Sequence, residues 1–265
     1  MVAKPLTSGK SSPGKAQISP DGKQLVFFKY DPGTGSMNLF VMPTEGGAQR
    51  QITFSKHDAT SPVWSPDGSE IAFAQQGEKG IRVWKVSSAG GVAKDFADSA
   101  VSSDSRYVSW SPGPRILYQR PGNRNFHILD PATQKEMPLV KDESVGWAFG
   151  ACSSPDGERF AVLWNRTSGG PPGLWIISLK DSSETLLREE WIHPVAWSKD
   201  GKTIYAIALD NPQKILMIHA QGAETRTIWT LPKDALFCSM TSDGKRVVYS
   251  ISEMKSDVWL VENFR

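Results

Sequence analysis

Two cysteines in 265 residues, Cys152 and Cys238, are too few for a disulfide scaffold. No apolar run approaches the roughly 20 residues of a membrane span. The stretch Met1-Val-Ala-Lys-Pro-Leu-Thr-Ser-Gly9 lacks the apolar core of a secretory signal. An unprocessed exported precursor is therefore not expected, which leaves open a mature or excised piece of one. Charge of one sign is also lacking, with 30 Lys+Arg against 28 Asp+Glu and a formal net charge of +2. Neither nucleic acid nor direct membrane contact is expected without a bulk field to drive it. Long amphipathic helical patterns are absent as well. What is abundant is 10 Trp, 23 Gly and 18 Pro, a composition suited to many short strands joined by tight turns.

The turns repeat. They begin at Ser19, Ser65, Ser111, Ser154, Ser198 and Thr241, with separations of 46, 46, 43, 44 and 43 residues. Four-residue units such as Ser19-Pro-Asp-Gly22 and Ser65-Pro-Asp-Gly68 are turn chemistry: Pro presets φ, Asp suits the next position, and Gly takes the left-handed conformation. A period in the forties predicts one four-stranded propeller blade per repeat. The expected fold is all-β, a six-bladed β-propeller with four antiparallel strands per blade, occupying residues 1–265 as one domain. The third repeat departs at Ser111-Pro-Gly-Pro114, where the turn is one residue shorter, and the sixth has Ser242 in place of Pro.

First strands precede the turns, as at Pro62-Val-Trp64 and Val195-Ala-Trp197, and second strands follow, as at Ile71-Ala-Phe73 and Val247-Val-Tyr249. A third-strand column reads Phe40, Trp84, His127, Trp175, Leu216, Trp259. Polar fourth strands are expected at Gln51-Ile-Thr53, Ala93-Lys-Asp95, Glu136-Met-Pro138, Glu184-Thr-Leu186 and Thr225-Arg-Thr227. Only five are visible for six turns, because the chain stops just after a third strand. The missing one is predicted at Ala3 to Thr7, pairing with the C-terminal segment to complete the last blade and close the ring.

The repeated Ser-Pro-Asp-Gly turns and the preceding Trp64, Trp110 and Trp197 resemble TolB-type propellers built from WD40-like repeats with a Pro-Asp turn. This resemblance covers essentially the whole chain. The ending Ser256-Asp-Val-Trp-Leu-Val-Glu-Asn-Phe264 is similar to the C-terminus of propellers that follow bacterial membrane-anchored kinases or winged-helix regulators. It implies a monomeric sensory or protein-interaction domain of a larger bacterial protein, in an extracytoplasmic (periplasmic) location. Such a fold hosts binding modules and enzymes alike, so function must be argued from the site.

In a propeller, blade connections and second-to-third-strand loops share one face, the usual place for ligands. Blade connections are expected at Lys56-His57-Asp58, Asp104-Ser-Arg-Tyr107, Asp142 to Trp147, Glu190-Trp-Ile-His193 and Asp234-Ala-Leu-Phe237. The candidate ligand-binding residues are His57, Arg106, Tyr107, Trp147, Trp191, His193 and Phe237, since aromatic and Arg side chains supply most binding hot spots. Trp64, Trp110, Trp197, Trp84, Trp175 and Trp259 recur at equivalent positions and are assigned to packing between blades. The competing assignment for Trp147 and Trp191 is a cap over the core.

His127 falls in a packed column and His219 in a turn, so neither is a candidate. The two thiols lie on first strands of non-adjacent blades and are expected buried and unbridged. The innermost strands offer Gln17, Ser109, Ser153 and Ser239 but no Asp or Glu, which speaks against a calcium-centred site. No Gly-x-Ser-x-Gly element is present. The expected function is a non-enzymatic propeller with no cofactor or metal, binding a protein, peptide or carbohydrate at the loop-rich face. The alternative is a propeller lyase or hydrolase using His57 and His193, with a divalent metal as optional partner.

Overall fold

The structure, a computed structural model, describes residues 3–7, 14–78, 80–113 except 101–106, 115–120, 122–123, 125–140, 146–166, 172–209, 213–222, 224–232, 235–251 and 258–262. At 97–100, 236–238 and 258–262 only the strand backbone is described. Among the described residues there is no helix, hence none long and apolar enough to cross a membrane.

The chain opens with β1 (Lys4–Pro5). One sheet then holds β2 (Gln17–Ile18), β3 (Gln24–Asp31), β4 (Ser36–Pro43) and β5 (Arg50–Gln51), and the next holds β6 (Ala59–Trp64), β7 (Glu70–Gly77), β8 (Gly80–Ser87) and β9 (Lys94–Ala100). A third contains β10 (Val108–Ser111), β11 (Arg115–Gln119), β12 (Phe126–Asp130) and β13 (Lys135–Pro138). The fourth is β14 (Trp147–Ser153), β15 (Arg159–Asn165), β16 (Gly173–Ser178) and β17 (Glu184–Arg188). The fifth is β18 (Ile192–Trp197), β19 (Thr203–Ala208), β20 (Lys214–His219) and β21 (Thr225–Thr230). The last has the order β1-β24-β23-β22, with β22 at Ala235–Met240, β23 at Arg246–Ile251 and β24 at Val258–Glu262. All described pairings are antiparallel, so the fold is an all-β propeller of four-stranded blades.

Five of the six repeated turns are held by the same small network. Ser65 Oγ donates to Asp67 Oδ1 at 2.6 Å, Ser69 N donates to the same oxygen at 3.0 Å, and Glu70 N donates back to Ser65 Oγ at 2.9 Å. Gly68 closes the turn at φ 75°, its N–H reaching Ser65 O at 2.9 Å. The turns at Ser19, Ser154, Ser198 and Thr241 repeat it, and Ser242 in place of Pro leaves it intact. In the third sheet Ser111 pairs directly with Arg115, one residue sooner, and no Asp is available. Ser111 Oγ is accordingly buried with no hydrogen-bond partner among the described atoms.

The core lies between blades. Each neighbouring pair of sheets shares an apolar cluster, from Val26, Leu39 and Phe73 between the first two to Phe27 and Val248 between first and last. Full burial of a side chain such as Phe27, Phe73, Phe126 or Phe160 stabilises by about 2 kcal/mol relative to exposure. The repeated Trp residues bind across seams: Trp64 Nε1 donates to Gln17 O and Trp197 Nε1 to Cys152 O, both at 3.1 Å. Trp110 instead packs on Phe96, ring centroids 4.9 Å apart. Side chains of Trp259 and Cys238 lie outside the described residues, while Cys152 is a free, half-buried thiol rather than a fully buried one.

Arginine ties the seams where composition gave no hint. Arg115, Arg159 and Arg246 stand at the start of second strands and donate to the turn glycine carbonyl of the next blade: Gly157 O at 3.3 Å, Gly201 O at 3.0 Å and Gly22 O at 2.8 Å. Closure follows the predicted strand exchange, with Lys4 opposite Leu260 and Pro5 opposite Trp259. Leu6 packs into the first-to-last seam, and Thr7 is buried.

Two fourth strands differ from expectation. The first is Arg50–Gln51 rather than Gln51–Thr53, because Thr53 turns its hydroxyl to Leu39 N and Asn38 instead of continuing the ladder. The second starts one residue later than expected and runs to Ala100, through two register shifts. Trp147, His193 and Phe237 also belong to the first strands β14, β18 and β22 rather than to the connections, each strand being extended past an irregularity in its register.

Two outcomes are expected from these contacts. Deleting residues 1–8 lowers the melting temperature by on the order of 10 °C, and an unchanged Tm would show that β1 does not close the ring. Asp67 is held down to about 2 by the Ser65 hydroxyl and the Ser69 amide. A carboxyl with a folded pKa below its unfolded value of about 4 gives stability that is present above pH 4 and lost as pH falls towards 2. Asp67→Asn should therefore melt lower at pH 7 and show a shallower acid loss between pH 4 and pH 2, read by thermal melts at stepped pH.

Candidate functional site

The innermost strands enclose a central channel with a cavity of about 330 Å³. Every first strand contributes to its wall, and the four polar residues read from the sequence, Gln17, Ser109, Ser153 and Ser239, all line it. Among the described residues no Asp or Glu lines it. One mouth is built from the turn residues Pro20, Pro66, Pro112 and Ser242. The other is built where first strands begin, and there Lys15, Tyr107 and His193 converge from three different blades.

Tyr107 is half-buried and its hydroxyl is committed to the fourth sheet, donating to Ala151 O and accepting from Ala151 N. Burial pushes its phenol up, so it stays protonated. Its ring packs on Phe126 at 4.8 Å and carries the Lys15 ammonium 5.0 Å from its centroid. Tyr107 thus forms channel wall and seam tie at once. Lys15 was not a candidate from the sequence, since one Lys among surface-like residues before a short strand carries no distinguishing pattern. Burial pulls its pKa down to about 8, leaving it mostly charged at neutral pH.

His193 lies against the backbone of Gly150. A Cβ at Gly150 would sit 2.2 Å from His193 Nε2, so the ring occupies space that only glycine leaves free. Burial, with the Lys15 charge second, lowers its pKa to about 4, and the imidazole is neutral at pH 7. His57 is exposed in the connection after β5 and does not line the channel. The structure therefore gives no site shared by His57 and His193. His127 is buried, with Nδ1 3.0 Å from Glu136 Oε1 and Nε2 3.1 Å from Asn123 Nδ2.

Beside this mouth lies an aromatic surface. Trp147, Phe149 and Trp191 are 43%, 41% and 42% exposed. Trp147 stacks on Phe149 with centroids 5.6 Å apart, and Phe149 meets Trp191 edge-on at 5.2 Å. Phe149 is the unpaired residue of a bulge, because Ala148 pairs with Trp164 and Gly150 with Leu163. Leu209, 44% exposed, is fixed alongside by its N–H to Trp191 O at 2.9 Å. Both tryptophans stand out in the sequence; Phe149 does not, because the bulge that brings it between them leaves no local sequence pattern. Arg106 lies outside the described residues, as does the Phe237 side chain.

No family model matches the chain. A 67-residue segment, 25% of the chain, is 37% identical to an uncharacterized peptidase YuxL of Bacillus subtilis (strain 168), of which it covers 10%. Among solved structures, a putative TolB from Agrobacterium tumefaciens superposes with a TM-score of 0.70 at 18% identity, over 97% of this chain and 92% of that one. An oligogalacturonate lyase in complex with manganese gives 0.65 at 12% identity, over 98% and 93%. At these identities the likeness is one of fold, that of a β-propeller. Among the described residues the channel lining offers one imidazole and no carboxylate, and no group of three or more metal-ligating residues occurs.

The Gly150 contact makes a direct test. Gly150→Ala should displace the His193 ring towards solvent and raise its pKa from about 4 towards the ordinary value near 6.5, followed by NMR titration of the imidazole. Among the described residues of this mouth the other titratable groups are Lys15, Tyr107 and Cys152, and none of them titrates between pH 4 and 6.5. In the wild type the depressed value means stability falls as pH drops from 6.5 to 4, and the variant should lose less over that window.

Proposed function

We propose that the chain is a non-enzymatic, six-bladed binding propeller that takes a protein, peptide or carbohydrate ligand at the mouth where its first strands begin. The observation that carries this is the contiguous Trp147-Phe149-Trp191 surface, three large aromatic side chains held in register yet left about two-fifths exposed. Burying rings against one another and the sheet would have been the cheaper arrangement, as at the seams. Rigid aromatic surface of this kind binds sugar faces and peptide side chains at low entropic cost. A sensory or interaction role within a larger, extracytoplasmic bacterial protein fits this surface and is part of the same proposal, as is a monomeric ring.

Binding is tested by titrating peptide and oligosaccharide panels against intrinsic Trp fluorescence. Trp147→Ala/Trp191→Ala should weaken any binder by about thirtyfold or more while the melting temperature stays within a few degrees. Binders indifferent to the double variant would overturn the assignment. So would stoichiometric metal in the purified protein that is lost on replacing His57 or His193.

A further inference from the structure

The fourth sheet seats one of its own arginines in an aromatic corner. Trp164 and Trp175 meet edge-on, at 67° with ring centroids 5.7 Å apart. The Arg166 guanidinium lies over both, 4.6 Å and 5.1 Å from their centroids, and Glu184 Oε2 meets its charge at 3.1 Å. Across the seam to the fifth sheet the same ring geometry recurs in the open, where Phe149 meets Trp191 at 64° and 5.2 Å. Acids accompany this corner too: Glu189 and Glu190 run directly into Trp191, and both are exposed. No ion pair engages either carboxylate. The cations nearest in sequence are committed elsewhere, Arg166 as above and Arg188 to Gly222 O and Thr225 Oγ1, both at 3.0 Å. The sequence of the adjoining connections does not reverse this balance, since 141–145 holds Lys141, Asp142 and Glu143, 167–171 no charged residue, and 210–212 Asp210 alone.

Taking the aromatic surface as the binding surface, we propose that its Phe149–Trp191 corner binds an arginine side chain presented by a peptide segment of a partner protein, with Glu189 and Glu190 supplying the opposing charge. The occupied corner one strand inward shows the same parts assembled around a guanidinium. A carbohydrate ring stacks on a flat aromatic face, whereas Trp191 stands steeply across Phe149. Negative charge beside the rings favours a cation over a neutral or acidic ligand. Guanidinium is favoured over ammonium because it is planar and more weakly hydrated, so it leaves water for an open aromatic surface at smaller cost. A peptide gains more than a free cation, because it also covers Trp147 and Leu209, 43% and 44% exposed. The corner is formed before any ligand arrives: Trp191 O is held by Leu209 N at 2.9 Å, and ladder pairs flank Phe149 on both sides.

The test is calorimetry with acetylated, amidated tetrapeptides Gly-X-Leu-Gly in which X is Arg, Lys, citrulline or Glu. The Arg peptide should bind about tenfold or more tightly than the citrulline peptide, which keeps the shape and loses the charge. It should also bind more tightly than the Lys peptide. Raising NaCl from about 0.05 M to about 0.5 M should weaken the Arg peptide about threefold or more and leave the citrulline peptide unchanged. Trp191→Ala should lose the Arg peptide. Glu189→Gln/Glu190→Gln, at two exposed positions, should keep the melting temperature and bring the preference for Arg over citrulline below about threefold; it gives the answer should Trp191→Ala fail to fold. Equal binding of the citrulline peptide, tighter binding of the Lys or Glu peptide, indifference to salt, survival of Arg binding in Trp191→Ala, an unchanged preference in the glutamine variant, or no saturable Arg-peptide binding at millimolar concentration would each overturn the assignment. If the Arg peptide fails while an oligosaccharide or neutral peptide binds and is lost in Trp147→Ala/Trp191→Ala, the aromatic surface stands as the binding surface and the arginine falls. If no binder depends on that double variant, both fall.

Discussion

Closure of the ring is the constraint on which everything else in this molecule depends. A four-stranded sheet with two apolar faces cannot bury either by itself, and each blade here is completed only by its neighbours. The circle of seams has to end where it began, and β1 beside β24 accomplishes this with residues 250 or more positions apart in the chain. Around that join, Arg246 reaches Gly22 O and Thr44 Oγ1, and Glu45 lies between Lys4 and Arg246. The exposed ion pairs add little, whereas the pairing and the buried Leu6, Phe27 and Val248 contacts supply the stability.

The two mouths of the channel are put to different ends. At one, five of the six turns carry Ser/Thr-Asp-Gly networks saturated within themselves, as at Ser65, where hydroxyl, carboxylate and amides find local partners. At the other, polar and aromatic groups are left over. Lys15 carries its charge over the Tyr107 ring, His193 holds its ring against bare backbone, and Phe149 is pushed outward by an extra residue in its strand. Unfulfilled groups on a rigid scaffold are what a binding surface requires.

Much of the architecture was legible in the sequence because it repeats. The Ser-Pro-Asp-Gly turns, the Trp column before them and the third-strand column recur at a near-constant period, and the missing outer strand could be found by subtraction. The site was legible only in fragments, because nothing about it repeats. Trp147 and Trp191 stood out as tryptophans off the column, yet their meeting through Phe149 depends on a bulge that no local pattern announces. His193 was visible but its partner was misjudged: His57 shares the face in principle, while the contact that defines His193 is with a glycine. Lys15 was invisible because its surroundings are set by Tyr107 and His193, which come from two other blades. The seam arginines hid for a similar reason, since each acts on a carbonyl of the next blade rather than on a side chain.

The closing pairing is also among the shortest in the ring. Two residue pairs join β1 to β24, against eight between β3 and β4, and one of the two residues is a proline with no N–H to give. A circle fastened this way has a preferred place to come undone. Strand β1 can lift from β24 while every other strand pairing stays intact, and what it leaves behind is an open strand edge flanked by the apolar face that Leu6 covered. The molecule's vulnerability to self-association is thereby concentrated at a single latch rather than spread over its many loops.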